Sequence, residues 1–367
     1  MRVLIIGAGL AGPCLAHALR RHGHDAELFE RDTAVDARAQ GYRIHINGDG
    51  GTALRKWLPP EAYEQALATS CKPGGGVSVT GPDLRKFTEI ELPPDVAGIT
   101  VDRLTLRRIM LRDLTEVTRF GAGFFRYELL DDQTVRVFLT DGSTAEGDLL
   151  VATDGANSGV RRQLLPDFPV TVQDTQLIYG RTPLTAQARR LTPAPALEGF
   201  LGVLGPDGRR LALAAQRFRQ NPADFGLPAA DDYLMWGVTA PADVYGPGFF
   251  ELGAEDLLKL AATTLADWDP SLRALIGLGD PDYLVPASIQ TSERPKLGPP
   301  RPVTLVGDAA HPMVPAGISA GVAVHDAGLL ASHLVSGAPL LEAVRSYESE
   351  MLDYGFAAVA RSSRGYQ

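Results

Sequence analysis

Apolar and polar positions follow two rhythms along this chain, and its opening shows both. Residues 3–6 (VLII) form an unbroken apolar run, as a parallel strand covered on both faces requires. Gly7, Gly9 and Gly12 follow, and Leu15, Ala18 and Leu19 then recur at helical spacing, with Pro13 early enough to lose little hydrogen bonding. A turn around Gly23 leads to a second apolar run at 26–29, closed by Glu30. The pattern predicts strand, glycine turn, helix and strand.

Beyond it, 42–46 reads as a short strand, 52–57 as the end of a helix and 60–70 as a short helix. The KPGGG stretch at 72–76 breaks the pattern. Val77 and Val79, then Phe87, Ile90 and Leu92, alternate as a strand pair. Residues 101–114 carry a helical apolar stripe that starts at Arg103, with Arg107 and Arg108 expected on its solvated face. Strands are predicted at 124–130 and 135–139, joined by the DGST turn at 141–144 to the stretch that follows. GDLLVATDGANSGVRRQLLP repeats the strand, turn and helix order, with Asp154 and Gly155 at its bend. Alternating stretches between 170 and 240 predict an antiparallel sheet, 254–268 a helix, 303–306 a buried strand and 340–360 a final helix.

The glycine spacing gives the first unit its chemistry. Gly7 permits the tight turn, Gly9 lets a pyrophosphate approach the backbone and Gly12 lets helix and strand pack closely, while the helix N-terminus faces the phosphate. Glu30 stands where a carboxylate can grip an adenosine ribose. This is a dinucleotide site, and the spacing serves FAD and NAD equally. A 2′-phosphate beside Glu30 would meet a negative charge, which disfavours NADP at this particular position.

With 367 residues and 45% hydrophobic content, the chain can build two lobes or one large α/β domain without staples. Cys14 and Cys71 form no CxxC pair and no metal spacing, and Cys14 reads as helix packing. A net charge of −9 argues against a nucleic-acid surface, and no run approaches membrane-spanning length, so a cytoplasmic protein is expected. His45, His311 and His325 are scattered, each read as a hydrogen-bonding or surface residue, and no metal site is expected.

Taken together, GAGLAG with Glu30, Arg103 in VDRLTLRR, LLVATDGANSGVR and LVGDAAHPMVP resemble, in this order and over nearly the whole chain, the single-component FAD-dependent aromatic hydroxylases of the p-hydroxybenzoate hydroxylase fold. The resemblance implies an α/β fold: a Rossmann-like FAD-binding lobe (1–70, 95–165 and 285–335), an inserted mainly antiparallel substrate lobe (71–94 and 166–284), and a C-terminal helix and tail (336–367). It implies FAD as cofactor and NAD(P)H as co-substrate, with oxygen transferred to an apolar, aromatic or polyketide-like small molecule. Cofactor-binding residues carried over are Gly7, Gly9, Gly12, Glu30, Arg38, Arg103, Asp154, Gly307, Asp308, Gly317 and Ser319. Arg43 and His45 are the catalytic candidates, and Tyr179, Phe200, Leu213, Met235 and Trp236 are candidate pocket walls.

One loop departs from the family pattern. Ser319 stands where a second glycine is expected and Gly321 where an asparagine is expected. Added bulk at Ser319 implies a shifted flavin. The departure keeps two other readings open: an FAD protein of this fold that promotes a non-redox cyclisation or rearrangement, and a non-catalytic flavin-binding protein.

Overall fold

The structure, a computed structural model, describes residues 1–38, 41–72, 75–85, 87–90, 98–130 and 134–364. Leu92 and part of the 72–76 break lie outside the described residues.

The opening unit folds as its pattern dictates. Strand Arg2–Ile6, helix Ala11–Arg21 and strand Asp25–Glu30 build the centre of a five-stranded parallel sheet. The strand order places Val303–Leu305, Leu149–Ala152, Arg2–Ile6, Asp25–Glu30 and Thr118–Phe120 side by side. The central three are buried almost throughout, which is why they read as apolar runs rather than alternations. Helix Ala11–Arg21 packs on it, helix Ser319–Leu334 packs on that helix and on Gly48–Trp57, and the long helix Leu340–Arg364 packs against Ser319–Leu334.

The second body is a seven-stranded sheet ordered Val285–Ser292, Val170–Pro183, Tyr233–Pro241, Arg210–Gln216, Phe200–Leu204, Val77–Thr80 and Phe87–Ile90. All its pairs are antiparallel except Phe200–Leu204 with Val77–Thr80. Its own core lies beneath helices Ala254–Thr264 and Pro270–Gly277. The α/β lobe with an inserted, mainly antiparallel sheet is thus as expected from the sequence.

Three expectations need correction. Strand Val285–Ser292 pairs with Val170–Pro183, so the stretch from 285 opens in the antiparallel sheet and not in the nucleotide lobe. Val101 and Asp102 end a strand, Ile99–Asp102, and the helix runs only over Arg103–Leu111. The Asp102 carboxylate caps the start of that helix by accepting from Thr105 N at 2.8 Å. Arg107 is buried, for the reason given below.

Strand Ile99–Asp102 pairs with Arg43–Ile46 in a two-stranded ribbon between the two bodies. Ile44, Ile46, Ile99 and Val101 pack into the nucleotide-lobe core. By alternation Arg43, His45, Thr100 and Asp102 share the other face of the ribbon.

Candidate active site

The glycine turn divides its three glycines by physical need. Gly7 sits at φ 106, and a Cβ there would lie 2.5 Å from the Thr153 carbonyl oxygen. A Cβ on Gly12 would run into the Gly7 carbonyl and the Thr153 hydroxyl. Those two positions are glycine because strand, turn and helix touch. Gly9 is different: a Cβ there would meet only the Arg103 guanidinium at 3.6 Å. Its open side faces the place where a pyrophosphate would lie, with the cation of Arg103 beside it and the N-terminus of the eleven-residue helix next to it.

Glu30 is built into the fold at the far end of this turn. Its Oε2 accepts from Ala8 N and from Arg107 Nη2, both at 3.0 Å, and its Oε1 accepts from Asp32 N at 3.0 Å. Arg107, expected on a solvated face, instead donates to Ala8 O at 2.7 Å and Val35 O at 2.9 Å and stands 3.7 Å from Asp32. Burial pulls its affinity for the proton down, opposed by Glu30. Four residues after Arg103 on one helix, it shares that residue's face, which is the signal the sequence offered. Arg38 belongs to the same cluster, pairing with both oxygens of Asp32 at 2.6 and 2.8 Å. Arg108 pairs with Asp36.

Two aspartates on neighbouring strand ends behave in the opposite way. Asp154 Oδ2 accepts from Gly159 N at 2.9 Å, but its Oδ1 is buried with no hydrogen-bond partner. Asp308 Oδ1 is likewise buried and unpartnered. Burial pushes both carboxyls above the ordinary carboxylate range. Arg161, which the sequence reading did not single out, ties the two turns together by donating to the carbonyls of Ala156, Asp308 and Ala309.

Beneath Asp308 lies a buried network. Asp326 accepts from Gly307 N at 2.6 Å, from His311 Nε2 at 2.7 Å and from the Tyr354 hydroxyl. Burial opposes a charged His311 ring, yet Asp326 and Asp308 outweigh it and raise its pKa. Gly307 is glycine of necessity, at φ 65 with Ala323 Cβ 2.7 Å from where its own Cβ would be. The network holds the turn that presents Asp308.

Gly317 follows at φ 77 with open space around it, and Ser319 is the first residue of the next helix. At 321 the structure supplies a reason for glycine: a Cβ would strike the Asn47 side chain, which caps helix Gly48–Trp57. Space for an asparagine at 321 is already filled by another one.

The ribbon brings Arg43 and His45 to its outward face. His45 Nδ1 lies 3.1 Å from Thr100 Oγ1, and Arg43 Nε is buried without a partner. The Tyr233 hydroxyl donates to Asp102 Oδ2 at 2.8 Å, fastening the antiparallel sheet to the ribbon. Tyr42 stacks on Tyr179 with ring centroids 5.4 Å apart. Of the expected pocket walls, Met235 and Phe200 cluster with Tyr42 on this side, and Tyr179 packs beside Val314. Leu213 and Trp236 do not: they pair with each other on the opposite face, inside the second core. Period-two alternation places Met235 and Trp236 on different faces. Among the described residues no cluster of His, Cys, Asp or Glu could hold a metal, and no helix is long and apolar enough to cross a membrane.

Residues 5–56 match the NAD(P)-binding Rossmann-like domain family. Over 99% of its length the chain is 31% identical to a dual O-methyltransferase/FAD-dependent monooxygenase, CTB3, of Cercospora beticola, covering 46% of that protein. The chain spans about half the length of this and the next two curated relatives. It is 27% identical to an FAD-dependent urate hydroxylase of Klebsiella oxytoca over 96% of the chain and 86% of that protein. A crystal structure from Photorhabdus luminescens subsp. laumondii TTO1, described as an FAD-containing monooxygenase, superposes with a TM-score of 0.87 at 29% identity, covering all of this chain and 97% of that one. Klebsiella pneumoniae HpxO complexed with FAD and uric acid shares the fold, with a TM-score of 0.80 at 23% identity.

Proposed function

We infer that this chain, which belongs with the single-component FAD-dependent monooxygenases in sequence and fold, binds FAD across its parallel sheet and uses it to oxygenate a planar, apolar small molecule. The observation that carries the reading is the set of groups left unsatisfied around one edge of that sheet. Gly9 has an open side, and Asp154 and Asp308 each keep a buried carboxylate oxygen without a partner. A flavin nucleotide offers hydroxyls to donate to the two carboxylates, and its pyrophosphate suits the helix end beside the Arg103 cation. Glu30 keeps capacity for about one further hydrogen bond beyond the three it accepts, enough for a ribose hydroxyl.

FAD, when bound, would supply the redox chemistry for oxygen transfer, with NAD(P)H as the source of electrons. The chain's own residues do the rest. Arg103 neutralises phosphate charge, and the Asp326 network fixes the Asp308 turn. Arg43, on the ribbon face, would orient the nicotinamide donor and compensate charge beside the flavin. The substrate lies between the ribbon and the antiparallel sheet, where Met235, Phe200, Tyr42 and Tyr179 exclude water. The relatives named urate hydroxylase support a planar substrate.

The test is anaerobic stopped-flow absorbance of the FAD-loaded protein mixed with NADPH or NADH. Flavin bleaching is expected, with Arg43→Ala slowing it more than it weakens FAD retention. A protein that retains FAD but is reduced by neither nicotinamide contradicts the redox reading.

A further inference from the structure

The side chain of Gln216 is wholly buried, yet neither its Oε1 nor its Nε2 has a hydrogen-bond partner. A primary amide carries two donors and an acceptor, and native interiors rarely leave all of them unmet. Gln216 ends strand Arg210–Gln216, directly opposite Tyr233 on the neighbouring strand. It therefore shares the sheet face of Ala214, Tyr233 and Met235, the face turned toward Tyr42. The ribbon packs against this same strand, and Arg43 Nε on its outward face is also buried and unpartnered. The Tyr233 hydroxyl on this face is committed to Asp102. Phe218 and Ala230 of this layer also wall a groove of about 500 Å³, which Gln216 and Arg43 themselves do not line. Phe218 lies two residues beyond Gln216, edge-on to Tyr233.

We propose that Gln216 and Arg43 read the polar edge of the substrate, and that this edge is a hydrogen-bond donor beside an acceptor on a neutral planar ring, as in a cis-lactam. The inference rests on the substrate position proposed above. A primary amide is complementary to such an edge: Oε1 accepts the ring N–H while Nε2 donates to the adjacent carbonyl. The Arg43 Nε–H donates to the carbonyl's second lone pair. A carboxylate fits badly, because it sets an acceptor against Oε1 and leaves that oxygen unpaired. An N-alkylated lactam fails for the same reason, since it keeps the acceptor and loses the donor.

Calorimetric titration of the FAD-loaded protein tests this with three bicyclic probes: carbostyril, its N-methyl derivative and naphthoate. Wild-type protein is expected to bind carbostyril at least about tenfold more tightly than either comparator, the loss expected when a buried polar pair goes unmade. Gln216→Leu should bring carbostyril and the N-methyl derivative within about twofold of each other. Its ligand-free form should melt no lower than wild type, because an unpaired buried amide has been removed. If leucine does not fold there, Gln216→Met makes the same test. Equal discrimination in wild type and variant, a wild-type preference for naphthoate, or no lactam binding overturns the proposal. Flavin absorbance of the same samples keeps the two readings apart: a protein without FAD defeats the flavoprotein reading, whereas an FAD-loaded protein without lactam preference defeats only this one.

Discussion

At the Glu30 end of the parallel sheet a buried carboxylate meets three donors from its own chain, and the arginine opposite it finds two carbonyls as well. At the Asp154 and Asp308 end, half-buried aspartates each leave one buried oxygen with nothing to accept from. Both ends were read from sequence as cofactor contacts, but their energetics differ. The first pays its desolvation cost inside the protein, so its removal should be felt in folding. The second holds that cost until a ligand arrives, so its removal should be felt in binding.

The sharpest way to break this contrast is Glu30→Ala. Arg107 would stay buried with only its longer 3.7 Å contact to Asp32, and the loss in unfolding free energy should be about 3–5 kcal/mol, read by urea denaturation. Wild-type stability combined with weakened FAD binding would move Glu30 into the other class.

Glu348 is an intermediate case on the final helix. Burial lifts its carboxyl to about 7, opposed by a hydrogen bond from Thr304. Because the folded pKa lies above the unfolded one, the native state binds the extra proton. Its contribution is therefore present below the unfolded pKa of 4.5 and is lost as pH rises toward about 7. Glu348→Gln should flatten that slope and stabilise the protein by about 1–3 kcal/mol at alkaline pH, the size of an uncompensated buried polar group. An unchanged pH profile of thermal melting would place this group outside the scheme.

Tyr354→Phe should have the smallest effect, about 0.5–1.5 kcal/mol for one hydrogen bond to Asp326. Because Asp326 also holds Gly307 N, part of that loss is expected as weaker FAD retention, measured by equilibrium dialysis. A purely stability-based effect would limit the network to packing.

The sequence revealed residue identity far better than residue commitment. Gly7, Gly12 and Gly307 were legible because a turn or a close approach admits nothing larger. Arg107 was misread because helical periodicity marks charged positions as solvated, while its partners are a carboxylate and carbonyls distant in sequence. Met235 and Trp236 were grouped as pocket walls because hydrophobicity alone says nothing of which sheet face is covered by helices and which by the nucleotide lobe. Gln216 and Asp326 carried no motif, and only tertiary neighbours make them conspicuous.

The most direct test of the contrast is FAD titration of ligand-free wild type and Asp308→Ala, with unfolding free energy measured on the same preparations. The account predicts that Asp308→Ala is at least as stable as wild type near neutral pH but binds FAD about 10- to 100-fold more weakly, from a lost charge-assisted hydrogen bond of about 1.5–3 kcal/mol. Unchanged FAD affinity, or a loss of affinity that only follows a loss of stability, would contradict it.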